Sequence, residues 1–269
     1  MQSTSLEVPT DWLALCRAAA ADVEAILAEM PPSERQAVLG EGEGGDDTTA
    51  IDAAAERAIL ARLEGIDDLT IVSEEVGIVG SGSTYVVVDP IDGSLNSKRG
   101  IPFFSLSIAV ADGAAMGDVF FGYVYDFGTR EEWTARRGDG AFLNGERLGA
   151  DRPRDEIEIL SFEATLTSLV AEQAAAMVGL AYRLRIMGSL ALSLCHLAAG
   201  RVDAVCSLKA ARSVDIAAAQ LLVRECGLAI DLFEDPPFAG APLDLEGRSG
   251  VVAAGTAETC RKLAEALSK

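Results

Sequence analysis

The eleven residues VVVDPIDGSLN, at 86 to 96, constrain this chain more than any other segment. Three consecutive valines predict a buried strand, because β-branched side chains suit a pleated, covered surface. Asp89 closes the strand, and Pro90 withholds the next backbone N–H. Asp92 then falls in a turn that Gly93 can complete in a left-handed conformation. Two carboxylates are thus offered side by side with the Ile91 carbonyl between them, a set of hard oxygens suited to Mg²⁺. If Gly93 and Ser94 open a helix, their amides face an anion. A generic Asp-x-x-Asp-Gly also reads as a solvated turn, so the other acids must decide.

Three further acidic positions qualify. Glu74 follows the apolar strand TIV in Ser73-Glu74-Glu75, and Asp52 opens a helix after Thr48-Thr49. Asp215 begins SVDIAAAQLLVREC, whose apolar residues imply a buried helix. An acid there can also be a simple partner of the helix dipole. Two Mg²⁺ ions ~3.5–4 Å apart can activate water and stabilise a leaving oxygen, and these carboxylates supply the ligands. Zinc fits poorly: the chain has 1 His, and its 5 cysteines form no C-x-x-C pair.

Elsewhere the pattern is a helix before Pro31-Pro32, a Gly- and Glu-rich loop GEGEGGDDTT, and a second helix IDAAAERAILARLEG ended by Gly65. Short β-like runs follow and predict an antiparallel meander, with Asn144-Gly145 as a hairpin turn. GIVGSGS at 77 to 83 lacks the Lys-Ser/Thr of a phosphate loop and is expected to be a turn. From about 155 strands and helices alternate, with helices expected over 165–178, 188–199, 213–227 and 256–268. Two lobes sharing one cleft are expected: 1–154, carrying most metal ligands, and an α/β lobe over 155–269.

A net charge of −20 disfavours nucleic acid and anionic membranes as partners. The absence of a signal-like N-terminus, of a long apolar run and of paired cysteines predicts a reduced, cytoplasmic protein. Basic residues are 18 Arg against 4 Lys. An acidic chain that handles a phosphorylated substrate needs bound cations to offset repulsion. His196 beside Cys195 lies in an apolar helix and is read as core rather than as half of a nucleophile–base pair.

Taken together, the motifs resemble the inositol monophosphatase superfamily, which includes fructose-1,6-bisphosphatases, and most resemble its archaeal-type bifunctional members. DPIDGS at 89–94 and SEEVG at 73–77 match its two acidic elements. RIMGSLALSLCHLAAGRVDAV at 185–205 and SVDIAAAQLLVRECG match its later conserved stretches. The resemblance implies a layered α-β-α-β-α sandwich, an α+β or α/β fold that is commonly a homodimer, and two or three Mg²⁺ ions, with Mn²⁺ an alternative. It implies that Glu74, Asp89, the Ile91 carbonyl, Asp92 and Asp215 hold metal. Gly93 and Ser94 cradle phosphate, and Asp52 acts with Ser94 to orient the attacking water, with Glu74 also in the catalytic set.

The implied activity is Mg²⁺-dependent hydrolysis of a small phosphate monoester, fructose 1,6-bisphosphate or inositol 1-phosphate. Where many relatives carry an inositol-binding Glu before the last Asp, this chain has SLKAARSVD. Arg99, Arg185, Lys209 and Arg212 are candidates for a second phosphate, since a guanidinium fork suits that anion. The alternatives are a 3′-phosphoadenosine 5′-phosphate or NADP phosphatase, a non-catalytic regulatory member of the fold, or a calcium-binding module.

Overall fold

The structure, a computed structural model, describes residues 10–43, 47–149, 153, 156–163, 166–232, 238–247 and 250–268. From the N-terminus come helices α1 (Trp12–Glu29) and α2 (Pro32–Arg35), strands β1 (Val38–Glu41) and β2 (Asp47–Thr49), and helix α3 (Ala50–Leu63). Next are strands β3 (Leu69–Ser73), β4 (Gly77–Gly80) and β5 (Thr84–Asp92), then helix α4 (Ser94–Arg99). Strands β6 (Ser105–Ala111), β7 (Val119–Asp126), β8 (Glu131–Arg136), β9 (Gly140–Leu143) and β10 (Glu146–Arg147) follow. The rest runs β11 (Ile157–Glu163), α5 (Thr167–Gln173), β12 (Ala181–Arg185), α6 (Leu190–Ala198) and β13 (Ala204–Ser207). It ends with α7 (Ser213–Glu225), β14 (Ala229–Leu232), β15 (Val251–Ala254) and α8 (Ala257–Leu267).

An eight-stranded sheet, ordered β10-β9-β8-β7-β6-β5-β3-β4, and a five-stranded sheet, ordered β12-β11-β13-β15-β14, set the layers. Ile51, Ile59 and Val23 of α3 and α1 pack with Val86, Val88 and Ile108 on one face of the large sheet. Leu192, Leu194, Ile216 and Ala218 of α6 and α7 pack with Val87, Ala109 and Val124 of that sheet and Val205 of the small one. Cys260 and Leu263 of α8 join Leu160 and Phe162 on the small sheet's far face. The stack is therefore α-β-α-β-α, the layered sandwich expected. Helices α6 and α7 belong to the core of both sheets, and burying each large aliphatic there contributes ~1.5–3 kcal/mol. Gly122 of β7 permits the approach of α7: a Cβ there would lie 2.6 Å from the Ala218 carbonyl oxygen.

Several local expectations change. The Gly-rich stretch at 77–83 contains β4, which extends the sheet edge antiparallel to β3. Its glycines left no apolar alternation to read. The loop at 40–49 carries the β1–β2 pair, with 44–46 outside the described residues. The meander includes one parallel pair, β3 with β5, and the small sheet mixes parallel and antiparallel pairs. The helix expected over 165–178 is α5 plus a 3₁₀ turn, Ala174–Met177, with 164–165 outside the described residues. The Asn144-Gly145 hairpin forms as expected, both residues having positive φ (51° and 80°).

Candidate active site

Parallel pairing of β3 and β5 brings the first acids together. The register places Ser73 opposite Val88, so the next residues, Glu74 and Asp89, emerge side by side at the carboxyl ends of adjacent strands. Open sheets commonly present their ligand sites at such ends. Beyond Asp89, β5 advances three residues while β6 advances two, from Ser107 to Ser105. This bulge sits where Pro90 has no N–H to give, and it re-aims Asp92. Ile91 N–H donates to Asp89 Oδ1 at 3.0 Å, and Ser94 Oγ donates to the Ile91 carbonyl at 2.9 Å.

Gly93 then turns the chain into α4 at φ 92°. Only a glycine fits, since a Cβ would lie 3.1 Å from the carbonyl oxygens of both Gly188 and Phe103. Here the loop before α6 meets the β5 turn, and Asn96 Nδ2 fastens it by donating to the Met187 carbonyl at 2.7 Å.

The remaining acids come from helix starts. Asp52 is the third residue of α3, and its Oδ2 accepts the Thr49 N–H at 3.1 Å and the Thr49 hydroxyl at 2.5 Å. This is a capping box, the pattern that closes free N–H groups at a helix start. Asp215 holds the same place in α7, accepting the Arg212 N–H at 2.6 Å. All these groups line one cleft of about 360 Å³, together with Lys98, Glu75, Glu163, Lys209 and Arg212. A larger hollow of about 600 Å³ between α7 and α8 offers, among the described residues, a single carboxylate, Asp231.

Crowded carboxylates raise one another's pKa. Burial first, then Glu74, Asp92 and Asp215, pushes Asp89 well above the usual range. Burial likewise lifts Asp92 to about 7, although the Ser189 hydroxyl and Ala191 N–H stabilise its charge. Glu75 also rises to about 7, by burial, against the pull of its bond from Thr48. The site is therefore short of positive charge. Asp52 Oδ1 is buried and has no hydrogen-bond partner among the described residues. An all-oxygen donor set with excess negative charge and an orphaned acceptor fits a hard divalent cation.

The structure brings together Asp52, Glu74, Asp89, Ile91, Asp92, Gly93, Ser94, Lys209, Arg212 and Asp215. It leaves two candidates out. Arg99 is exposed on α4, because the face that turns Lys98 into the cleft points its neighbour away. Arg185 is exposed at the end of edge strand β12, its Nη1 donating to the Leu184 carbonyl at 2.9 Å. The expected joint action of Asp52 and Ser94 is not seen as a hydrogen bond. Asp52 pairs with Thr49, which is local to its own cap, and Ser94 turns to Ile91.

Sequence reasoning missed four residues. Lys98 Nζ lies 4.0 Å from Asp52 Oδ2, and it sits four residues after Ser94, a helical spacing that could have flagged it. Ser189 donates its hydroxyl to Asp92. Glu163, at the end of β11, accepts from Gly188 N–H at 2.9 Å and the Ser193 hydroxyl at 2.7 Å. Glu75, beside Glu74, accepts from Thr48. No local pattern marks Ser189 or Glu163, whose roles depend on distant chain.

Among the described residues, Asp126, Glu131 and His196 have ligand atoms within 4.8 Å of one another. They lie outside the cleft lining, and two are already engaged. Glu131 holds Arg201 through both oxygens, at 2.6 and 2.7 Å, and Asp126 accepts from Gly128 and Thr129.

The profile of the inositol monophosphatase family matches residues 10–269. The chain belongs to this family. A fructose-1,6-bisphosphatase/inositol-1-monophosphatase of Archaeoglobus fulgidus is 33% identical over 247 residues, covering 91% of this chain and 93% of the relative. The Nus factor SuhB of Pasteurella multocida is 39% identical over 191 residues, covering 68% of this chain and 70% of the relative. Among solved structures, the MJ0109 gene product, described as an inositol monophosphatase–fructose 1,6-bisphosphatase, superposes with a TM-score of 0.84 at 28% identity, covering 96% of this chain and 100% of that one. Among the described residues, this chain has no helix long and apolar enough to cross a membrane.

Proposed function

We propose that the protein is a Mg²⁺-dependent phosphatase that hydrolyses small phosphate monoesters, with fructose 1,6-bisphosphate and inositol 1-phosphate as the leading substrates. The observation that carries this reading is the convergence of Glu74, Asp89, Asp92 and Asp215, from two strand ends and a helix start, on a single cleft. The names of the archaeal relatives support the substrate class.

Glu74, Asp89, the Ile91 carbonyl, Asp92 and Asp215 would hold the metal. When bound, Mg²⁺ would supply the charge that offsets the phosphate's and lowers the pKa of water. The chain's own groups do the rest. The amides of Gly93 and Ser94 and the ammonium of Lys98 receive the phosphate oxygens. Asp52, held through Oδ2 by Thr49, would orient the attacking water toward phosphorus. As the water oxygen bonds to phosphorus its proton passes toward Asp52, the phosphorus–oxygen ester bond breaks, and the departing alkoxide takes a proton from solvent and leaves as the alcohol, so the reaction needs no phosphoenzyme.

Phosphate release from the purified protein tests the proposal, with and without Mg²⁺. The substrates are fructose 1,6-bisphosphate, inositol 1-phosphate, 3′-phosphoadenosine 5′-phosphate and NADP. Release that needs Mg²⁺ and favours the first two is expected. Preference for either adenine compound would move the substrate assignment, and no release with any divalent metal would favour the regulatory role suggested by the SuhB relative's name.

A further inference from the structure

The Arg212 guanidinium occupies the space between two of the carboxylates assigned to metal. A single nitrogen, Nη2, lies 2.7 Å from Glu74 Oε1 and 3.0 Å from Asp215 Oδ1, while Nε lies 3.5 Å from Asp215 Oδ2. The three side chains are 11%, 14% and 17% exposed, so water and salt screen the contact weakly. A monovalent cation here bridges two acids 141 positions apart in sequence, one at a strand end and one at a helix start.

We propose that Arg212 is an internal counter-cation that competes with the divalent metal for Glu74 and Asp215, and so sets the affinity of the site for metal. The inference rests on the reading of these two acids as metal ligands.

Charge balance gives the first argument. Among the described residues, eight carboxylates line the cleft and face three cations, Lys98, Lys209 and Arg212. Without a cation at this point the fold would hold mutually repelling acids in a partly buried space, which is costly unless they are paired. Arg212 supplies that pairing.

Geometry gives the second. Mg²⁺ binds carboxylate oxygens at ~2.0–2.1 Å and demands near-octahedral placement. Glu74 Oε1 and Asp215 Oδ1 already direct lone pairs at Nη2, and the same lone pairs cannot serve a metal at that spot as well. A metal that takes these two oxygens from the side facing Nη2 therefore requires the guanidinium to move. The fold lets it do so without releasing Asp215, since the Arg212 backbone N–H, which the side chain does not affect, holds Oδ2 at 2.6 Å. The carboxylate stays aimed while its ion pair is exchanged.

The test is Mn²⁺ binding without substrate, followed by calorimetry or by the spin-resonance signal of free Mn²⁺. Wild type, Arg212→Ala and Arg212→Gln are compared, with Glu74→Gln as the control for the ligand assignment. Both Arg212 variants are expected to bind Mn²⁺ about tenfold more tightly, equivalent to ~1.4 kcal/mol. They are also expected to melt below wild type in chelator and to regain the difference in saturating Mg²⁺. The Gln variant retains bulk and hydrogen bonding without charge, so it covers the case in which Ala fails to fold metal-free. Unchanged or weaker Mn²⁺ binding in both variants, with Glu74→Gln still losing the metal, would overturn the role of Arg212 and leave the ligand assignment standing. Equal binding by wild type and Glu74→Gln would remove the ligand assignment and this inference together.

Discussion

The backbone N–H of Ala191 donates to Asp92 Oδ2 at 2.9 Å, so an acid at the end of β5 closes the first turn of α6 across 99 positions of sequence. Ser189 completes the junction: it donates to Asp92 and accepts from Leu192 N–H at 3.2 Å as the helix cap. Ser189→Ala removes both bonds. The loss of the cap is expected to cost about 1 kcal/mol, lowering Tm by roughly 2–4 °C for a domain of this size. The Ser189 bond also lowers the Asp92 pKa, so its loss should raise the Mg²⁺ concentration needed for half-maximal activity. Thermal melting and a Mg²⁺ titration read the two effects, and an unchanged Tm would show that the cap contributes nothing.

Asp89 is 3% exposed, and its charge is opposed by burial and by three neighbouring acids. Asp89→Asn should therefore leave the metal-free protein at least as stable as wild type while removing a proposed ligand. Turnover is expected to fall by at least about a hundredfold, more than the loss of a group that merely orients a ligand. Asp215→Asn should show the same drop in turnover. Circular dichroism and phosphate release with saturating Mg²⁺ decide the matter; full activity in either variant would remove that residue from the ligand set.

Lys98 and Arg99 are adjacent in sequence and opposite in placement. Lys98 lines the cleft 4.0 Å from Asp52, whereas Arg99 is exposed. Lys98→Ala is expected to lower kcat/KM by about tenfold or more through lost attraction for the phosphate. Arg99→Ala should change it by less than about twofold. Steady-state kinetics on one substrate compares them; a change below about twofold in Lys98→Ala would place Lys98 outside phosphate binding, and a loss in Arg99→Ala as large as in Lys98→Ala would bring Arg99 into it.

This contrast shows where the sequence stopped being legible. Asp89, Asp92 and Asp215 could be found because each sits at the boundary of a strongly patterned element: a run of valines, a Pro-Gly turn, an apolar helix. The layered sandwich came from the resemblance to the inositol monophosphatase superfamily; the pattern of elements by itself gave a meander followed by an alternating α/β half, and the layers form only when packing places α6 and α7 between the two sheets. The orientation of Lys98 over Arg99 depends on the pitch of a six-residue helix, which composition does not fix. Ser189 and Glu163 act through partners brought near by packing. Arg212 was visible as a cation close to Asp215, but its hold on Glu74 exists only once β3 and α7 meet. The strand β4 hid behind glycines because its side chains carry no alternation of burial: three of its four residues are exposed.

His196 is the chain's single histidine, so its ring can be followed without assignment ambiguity. Burial, aided by the Arg201 charge, lowers its pKa below the usual 6.5, against the opposing pull of Glu131 and Asp126. Phe103 and Trp133 pack around the ring, and Nε2 has no hydrogen-bond partner among the described residues. A histidine with a depressed folded-state pKa takes up its proton more readily in the unfolded chain. Its contribution to stability is therefore intact above the unfolded value and is lost as pH falls below it. Proton resonance of the imidazole ring is expected to titrate with a midpoint below 6.5 in the native protein and near that value in denaturant. Arg201→Gln should raise the native midpoint, since it removes the repelling charge and frees Glu131 from its two-bond pairing. A native midpoint at or above the unfolded one would mean that the two carboxylates, rather than burial, govern this ring.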